Sequence, residues 1–155
     1  MERIWIYQAD RPLTQGEEAH VLDKLDSFTS QWKAHGKPLA AKAEVRHHRF
    51  VIIMVDDSVA PPTGCSIDKS VHLLKELENE LKISLFDRMQ IAYRDGSDIK
   101  VVSRPEFERL LAAGEVTTET IVFNNLVATY SELESRWEVP LRDSWHAKVF
   151  QGILL

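Results

Sequence analysis

The stretch that decides the fold is FVIIMV, residues 50–55, followed after a short gap by PPTGCSIDKS, residues 61–70. The first segment is apolar at every position, which is typical of a central strand covered on both faces. The second passes from a Pro-Pro turn into a helix predicted over residues 66–82. The apolar stripe of that helix comprises Ile67, Val71, Leu74, Leu77 and Leu81. A buried strand therefore leads into an amphipathic helix.

Outward from this stretch, the N-terminal half predicts two more strands and one more helix. Residues 3–8 alternate like a strand, and so do residues 41–46, which a tight turn at His47 and His48 joins to the central strand. Thr14 and Glu17 have capping-box spacing and open a helix that we expect to end at Gly36. Its apolar face comprises Val21, Leu25, Phe28 and Trp32.

The C-terminal half has shorter elements. Alternation over residues 89–93, the turn signal Asp95-Gly96 and residues 99–102 predict a hairpin, and residues 120–123 predict another strand. A short helix is predicted to begin after Ser103 and to end at Gly114. A second helix is predicted to begin with a capping box at Ser131 and to end before Pro140. A third is predicted over residues 144–150.

The order of elements predicts an α+β fold: a mainly antiparallel sheet with helices on one face, and a smaller C-terminal α+β half. The expectation is one compact domain over residues 1–155, with subdomains at residues 1–83 and 84–155. The tail Ile153-Leu154-Leu155 is expected to pack against the body of the protein or against a second subunit.

Composition excludes several classes of protein. A net charge of −5 without a dense basic cluster argues against nucleic-acid and anionic-membrane partners. One cysteine in 155 residues excludes an internal disulfide framework and a thiolate metal cluster. We find no signal-peptide pattern and no apolar run of about 20 residues. The expectation is a cytoplasmic protein without a cofactor or metal site.

Several short segments, spread over nearly the whole chain, resemble a group of small bacterial proteins that often carry the label "ABC transporter ATPase". They are residues 4–8 (IWIYQ), 64–70 (GCSIDKS), 85–88 (LFDR), 123–126 (FNNL) and 144–146 (SWH). The motifs do not support the label. A P-loop ending in Lys69-Ser70 requires glycine at positions occupied by Thr63 and Asp68. The resemblance therefore implies membership of a group without implying an activity.

Residues 90–141 resemble a GYF-type module in their Tyr93-Arg94-Asp95-Gly96 segment, the following strand and helix, and the strand at residues 120–123. Such modules bind proline-rich or other peptide segments in an aromatic groove. The Gly-Pro-aromatic signature of that family is absent near residues 100–102. The resemblance implies a similar fold, and a peptide partner if the groove is retained.

Candidate site residues fall into three sets. Cys65, at a helix start beside Lys69, is a candidate reactive thiolate, or simply a small residue packed between helix and sheet. Asp56 and Asp57, with Ser66 and Lys69, are candidates for binding a small polar ligand, although such residues more often cap loops. The third set is polar and aromatic, and it either lines a pocket or forms buried hydrogen bonds: Tyr93, Arg94, Asn124, Asn125, Trp145 and His146.

Three functional hypotheses follow. The leading one is a non-enzymatic binding protein with a peptide or protein partner, and with a homodimer as its expected assembly. The alternatives are a small thiol-dependent enzyme or redox protein centred on Cys65, and a small-ligand-binding protein that uses residues 56–70. Whether the protein is an enzyme is left open at this point.

Overall fold

The structure is a computed structural model that describes residues 1–154. The chain divides into two compact units. The first unit comprises Met1–Phe86 with Ala128–Ser131, and the second comprises Asp87–Val127 with the chain from Glu132 onward. Each unit combines helices with antiparallel strands, so the predicted α+β fold is confirmed.

The first unit contains a three-stranded antiparallel sheet. Its strands are β1 (Glu2–Gln8), β4 (Ala40–Arg46) and β5 (Phe50–Asp56), in the order β1-β5-β4. All residues of β5 from Phe50 to Val55 are buried, as their unbroken apolar character predicts. The turn between β4 and β5 places His47 and His48 at φ values of 54° and 56°, the left-handed conformation that tight hairpins favour.

Two long helices cover one face of this sheet. They are α1 (Gln15–Gln31) and α2 (Gly64–Leu81), and both begin with a capping box, at Thr14 and Thr63 respectively. The core between helices and sheet includes Val21, Leu25, Val51, Ile53, Val55, Leu74 and Leu77. Alternate residues of β5 thus pack against the apolar stripes of both helices.

The predicted end of α1 is wrong by about one turn. The helix stops at Gln31 with Trp32 in an extended conformation, and residues beyond it form the small hairpin of β2 (Lys33–Ala34) and β3 (Lys37–Pro38). Gly36 lies in the turn of this hairpin at φ 77°, where a glycine is favoured. The glycine was therefore a turn signal rather than a helix stop.

The second unit contains a four-stranded antiparallel sheet in the order β7-β6-β8-β9. The strands are β6 (Gln90–Asp95), β7 (Asp98–Ser103), β8 (Ile121–Phe123) and β9 (Glu138–Pro140). The β6–β7 hairpin turns at Gly96, as predicted. The strand β9 was not predicted, because Pro140 suggests a helix stop. A proline is tolerated here because β9 is an edge strand.

The helices associated with the second unit's sequence are short. They are α3 (Arg104–Ala112), α4 (Tyr130–Arg136), α5 (His146–Val149) and α6 (Gln151–Leu154), with a 3-10 turn at Leu141–Asp143. The helix α4 begins at Tyr130 and is preceded by Thr129, so the predicted cap at Ser131 is wrong by two residues. A core of Ile91, Tyr93, Phe107, Val122 and Phe150 holds this unit together.

The prediction that the C-terminal tail packs against the body of the protein is confirmed for one of its residues. Leu154 packs against the core of the second unit, whereas Ile153 is 40% exposed. Leu155 lies outside the described residues.

Candidate functional site

The start of α2 is held by a closed set of hydrogen bonds. The backbone N–H of Ser66 donates to Thr63 Oγ1 at 3.2 Å, and the backbone N–H of Thr63 donates to Ser66 Oγ at 2.7 Å. Ser66 Oγ also donates to the Thr63 carbonyl oxygen at 2.8 Å. Ser66 is buried, and its hydroxyl group forms part of the helix cap. A role of Ser66 in ligand binding stays a prediction.

Trp32 ties the end of α1 to the start of α2. Its indole Nε1 donates to the Ser66 carbonyl oxygen at 2.9 Å, and its side chain is buried. Its ring also packs against Phe28, with 5.0 Å between ring centroids. This side-chain bond connects residues that are far apart in sequence, and it fixes the two helices at this point.

Cys65 lies in the first turn of α2 and is exposed. Within residues 1–154, no side chain or backbone group forms a hydrogen bond with its sulfur atom. A reactive thiolate usually has a base or a cation beside the sulfur. The catalytic role of Cys65 therefore stays a prediction. The alternative, that Cys65 packs between helix and sheet, is wrong because the side chain is exposed.

The exposed face of α2 borders a groove against α1. The groove has a volume of about 540 Å³, and its lining comprises Phe28 from α1 and Asp68, Lys69, His72, Leu73 and Glu76 from α2. Phe28 and Leu73 are half-buried and pack against the core, whereas the charged residues are exposed. Cys65 lies one turn before Lys69 on the same side of the helix.

Asp56 and Asp57 stabilise local structure at the end of β5. Asp56 Oδ1 accepts from the Ser58 hydroxyl at 2.6 Å and from the Ser58 backbone N–H at 3.0 Å. These bonds lower the pKa of the Asp56 carboxyl group. Asp57 Oδ1 lies 3.0 Å from the amino group of Met1 and raises the pKa of that group. Both carboxylates thus have partners.

Asp56 and Lys69 line two different cavities. Asp56 lines an open depression of about 310 Å³ together with Glu2, Ala40, Ala41, Lys42 and Met54. Lys69 lines the groove between α1 and α2 instead. A ligand site at the depression stays a prediction. The sequence did not single out Phe28, His72, Leu73 or Glu76, although the polar residues recur with helical spacing on one face of α2.

Tyr93 and Arg94 are neighbours in β6 and have different surroundings. Tyr93 is buried, and its ring meets Phe107 edge-on with 5.8 Å between centroids. Burial raises the pKa of the Tyr93 hydroxyl group. Arg94 forms an ion pair with Glu138, which raises the pKa of the guanidinium group, and lies 5.6 Å from the centre of the Phe123 ring. The alternation of a strand accounts for the separation.

Asn124 and Asn125 support the turn after β8. Asn124 Oδ1 accepts from the Leu126 backbone N–H at 3.1 Å. Asn125 Oδ1 accepts from Trp137 Nε1 at 2.9 Å. Trp137 meets Phe123 edge-on and both rings are buried, so this cluster offers no exposed aromatic surface. The peptide groove implied by the GYF resemblance stays a prediction.

Trp145 and His146 are stacked, with 3.8 Å between ring centroids. His146 is buried, and its Nδ1 lies 2.7 Å from Ser144 Oγ. Burial lowers the pKa of His146 to about 4, so its ring is neutral at neutral pH. Trp145 Nε1 is buried and has no hydrogen-bond partner among residues 1–154. In the third candidate set, Arg94 therefore adjoins the cluster of Phe123, Trp137 and Asn125, and Trp145 and His146 form a stacked pair.

Two kinds of feature are absent from residues 1–154. No helix within residues 1–154 is long and apolar enough to cross a membrane. In the same part of the chain, no group of three or more His, Cys, Asp and Glu side chains is placed to hold a metal ion.

Comparison with known proteins leaves the chain without an assigned relative. No protein-family model, no curated protein sequence and no solved structure matches it. The resemblances to the group of small bacterial proteins and to GYF-type modules stay predictions.

Proposed function

We propose that this chain is a non-enzymatic, cytoplasmic protein-interaction module, and that the groove between α1 and α2 binds an amphipathic helical segment of a partner protein. The observation that carries the proposal is a preformed groove with a half-buried apolar floor. Phe28 and Leu73 form this floor, one from each helix. A groove between two helices is a common receptor for the apolar face of a third helix.

The rim of the groove supports a polar, orientation-sensitive contact. Asp68 and Glu76 contribute negative charge, and Lys69 contributes positive charge between them. His72 Nε2 lies 3.2 Å from Glu76 Oε1 and is exposed. Apolar contacts at the centre with charged groups around them are the usual arrangement of protein interfaces. A partner helix of mixed charge fits this rim better than a uniformly acidic or basic one.

The bond between Trp32 and Ser66 supports the proposal because it keeps the groove in place before binding. It joins the C-terminal end of α1 to the first turn of α2, next to Phe28. A receptor whose walls are already fixed loses less conformational entropy when a ligand binds. No observation favours the thiol enzyme or the small-ligand protein to the same degree.

A display library of amphipathic helical peptides tests the proposal. We expect binders to the native protein that lose affinity about tenfold or more with Leu73→Glu, because a carboxylate would then occupy the apolar floor. Leu126→Glu is the matched control, since it makes the same substitution at an exposed leucine of the second unit that does not line the groove. Failure to obtain binders, or equal loss in both variants, would overturn the proposal.

Cys65 provides a second, independent readout. As the sole cysteine, it can carry a photoreactive maleimide beside the groove. We expect selected peptides to crosslink at this position and not when the thiol is moved to the second unit by combining Cys65→Ser with Leu126→Cys, since Leu126 is exposed and does not line the groove. Equal crosslinking from both positions would place the peptide elsewhere.

A further inference from the structure

The two edge strands of the first unit's sheet differ in how their outward-facing main-chain groups are paired. At the β1 edge, the Ile4 backbone N–H donates to the Ala128 carbonyl oxygen at 3.0 Å, and Arg3 bridges to Thr129. At the other edge, no strand within residues 1–154 pairs with β4 on the side away from β5. An uncovered edge strand is able to pair with another chain.

The direction of the main-chain groups in β4 follows from two hydrogen bonds. The Arg49 N–H donates to the Arg46 carbonyl oxygen across the turn, so the main-chain groups of Arg46 face β5. Ile4 is opposite Met54, and its N–H group points away from β5 to Ala128. The N–H and C=O groups of Met54 therefore point away from β1, to Lys42 of β4. By alternation, the N–H and C=O groups of Ala41, Ala43 and Val45 point to the uncovered edge.

The side chains of β4 leave this edge accessible. None of the seven residues of β4 is classed as buried, whereas six of the seven in β5 are. Ala41, Ala43 and Val45 pack against the core that α1 and α2 share. Lys42 and Glu44 lie on the opposite face. The small alanine side chains present little steric hindrance to a strand that approaches the edge.

The charges of β4 are complementary to a second copy of the same strand. An antiparallel pair centred on Ala43 places Lys42 opposite Glu44 of the second copy, and Glu44 opposite Lys42 of the second copy. Ala43 then exchanges hydrogen bonds with its own counterpart. The two charged pairs lie at non-hydrogen-bonded positions, where side chains of antiparallel strands approach most closely.

Neighbouring symmetric registers are disfavoured by the same charges. Centring the pair on Lys42 places two ammonium groups opposite each other, and centring it on Glu44 places two carboxylates opposite each other. Like charges directly opposite destabilise strand pairs. The pattern Ala-Lys-Ala-Glu thus selects one register among three.

We propose that β4 is a homodimerisation strand, and that two copies of this chain join through antiparallel β4–β4 pairing about Ala43. The two three-stranded sheets then form one continuous six-stranded sheet with two-fold symmetry, in which each subunit contributes the same surface. This interface uses neither Phe28 nor Leu73, so it goes beyond the proposed partner groove and is independent of it.

Charge reversal tests the pairing by light scattering or analytical ultracentrifugation. One pair of short strands makes a small interface, and small interfaces are weak, so dimers of the native protein should become detectable as its concentration is raised to about 0.5 mM. Lys42→Glu and Glu44→Lys should each weaken dimerisation about tenfold or more, since both symmetry-related pairs become repulsive. Lys75→Glu, on the exposed side of α2, should leave the dimer unchanged, because α2 does not pack on β4.

Mixing the two variants gives the decisive result. A Lys42→Glu chain opposite a Glu44→Lys chain restores opposite charges at both positions, so an equimolar mixture should form a heterodimer. Ala43→Pro should abolish pairing with little loss of folding, because the N–H group it removes points to the free edge. Circular dichroism checks the fold of every variant. A strict monomer, or variants that dimerise like the native protein, would overturn the proposal, as would a mixture that stays monomeric.

Discussion

Each unit contains a tryptophan whose indole N–H group is buried near a serine, but the two sites differ in whether that N–H group has an acceptor. In the first unit, Trp32 Nε1 donates to the Ser66 carbonyl oxygen, and Ser66 completes a helix cap with Thr63. In the second unit, Trp145 Nε1 is buried without a hydrogen-bond partner among the described residues, beside the buried His146. The residue types are similar, and the hydrogen bonding is not.

This difference shows where buried polar groups stabilise the protein and where they do not. A buried hydrogen bond contributes about 1 kcal/mol, whereas a buried donor without an acceptor costs about 1–3 kcal/mol. The Trp32 site is therefore expected to stabilise the first unit. The Trp145 and His146 site is expected to make the second unit sensitive to acid and tolerant of substitution.

The largest expected effect is the response of His146 to acid. Its pKa is about 4 in the folded chain, against an ordinary value of about 6.5 in the unfolded chain. Between these values the unfolded chain binds more protons, so the free energy of unfolding falls as the pH falls from about 6.5 to 4. The loss approaches about 3 kcal/mol. Urea denaturation at pH 7 and pH 4 measures it.

The control for this measurement is a histidine that is exposed. His146→Gln cannot take up the proton, so its unfolding free energy should depend less on pH over this window. His35→Gln should retain the native pH dependence, because the His35 side chain is exposed and forms no ion pair with the described residues. If the free energy of unfolding falls equally for His146→Gln and for the native protein on acidification, His146 is not the source of the acid sensitivity.

The next largest effect on the free energy of unfolding is expected at the hydrogen bond between Trp32 and Ser66. Trp32→Phe removes the indole donor and leaves the Ser66 carbonyl group without this partner. We expect a loss of about 2 kcal/mol in the free energy of unfolding, from the unpaired carbonyl group and the smaller ring together. Trp5→Phe is the control, since Trp5 is half-buried. Equal losses in the two variants would contradict a specific contribution from the Trp32 hydrogen bond.

The sequence predicted elements whose periodicity is local and strong. The unbroken apolar run of β5, the stripe of α2 and the Asp95-Gly96 turn each carry their own signal over a few residues. The end of α1 was mispredicted because Trp32 leaves the helix, where its indole group bonds to Ser66, 34 positions further along the chain. No window of local sequence contains that contact.

The candidate sites were harder to predict than the fold. Asp56 and Asp57 were singled out for their place after a buried strand, but their partners are a nearby serine and the amino group of Met1. The groove beside Lys69 depends on Phe28 from another helix. The charge pattern about Ala43 was visible in the sequence, but its meaning depends on β4 being an edge strand.

A smaller effect is expected at the cap of α2. Thr63→Ala removes the oxygen atom that accepts from the Ser66 N–H, which should lower the free energy of unfolding by about 1 kcal/mol. Thr63→Ser retains the hydroxyl group and should stay close to the native value. Thermal and urea denaturation of both variants measure the difference. Equal losses would indicate that the methyl group of Thr63, and not its cap, stabilises this end of the helix.

The smallest effect is expected at Trp145, and its direction distinguishes the two sites. Trp145→Phe removes a buried N–H group that has no acceptor within residues 1–154 and retains an aromatic ring that can stack on His146. The desolvation penalty of the donor disappears while part of the apolar contact remains, so the change should lie within about 0.5 kcal/mol of zero. Urea denaturation at pH 7, beside Trp32→Phe, gives the comparison. A loss at Trp145 as large as that at Trp32 would mean that the indole N–H of Trp145 is bonded in solution, and the two sites would then be alike.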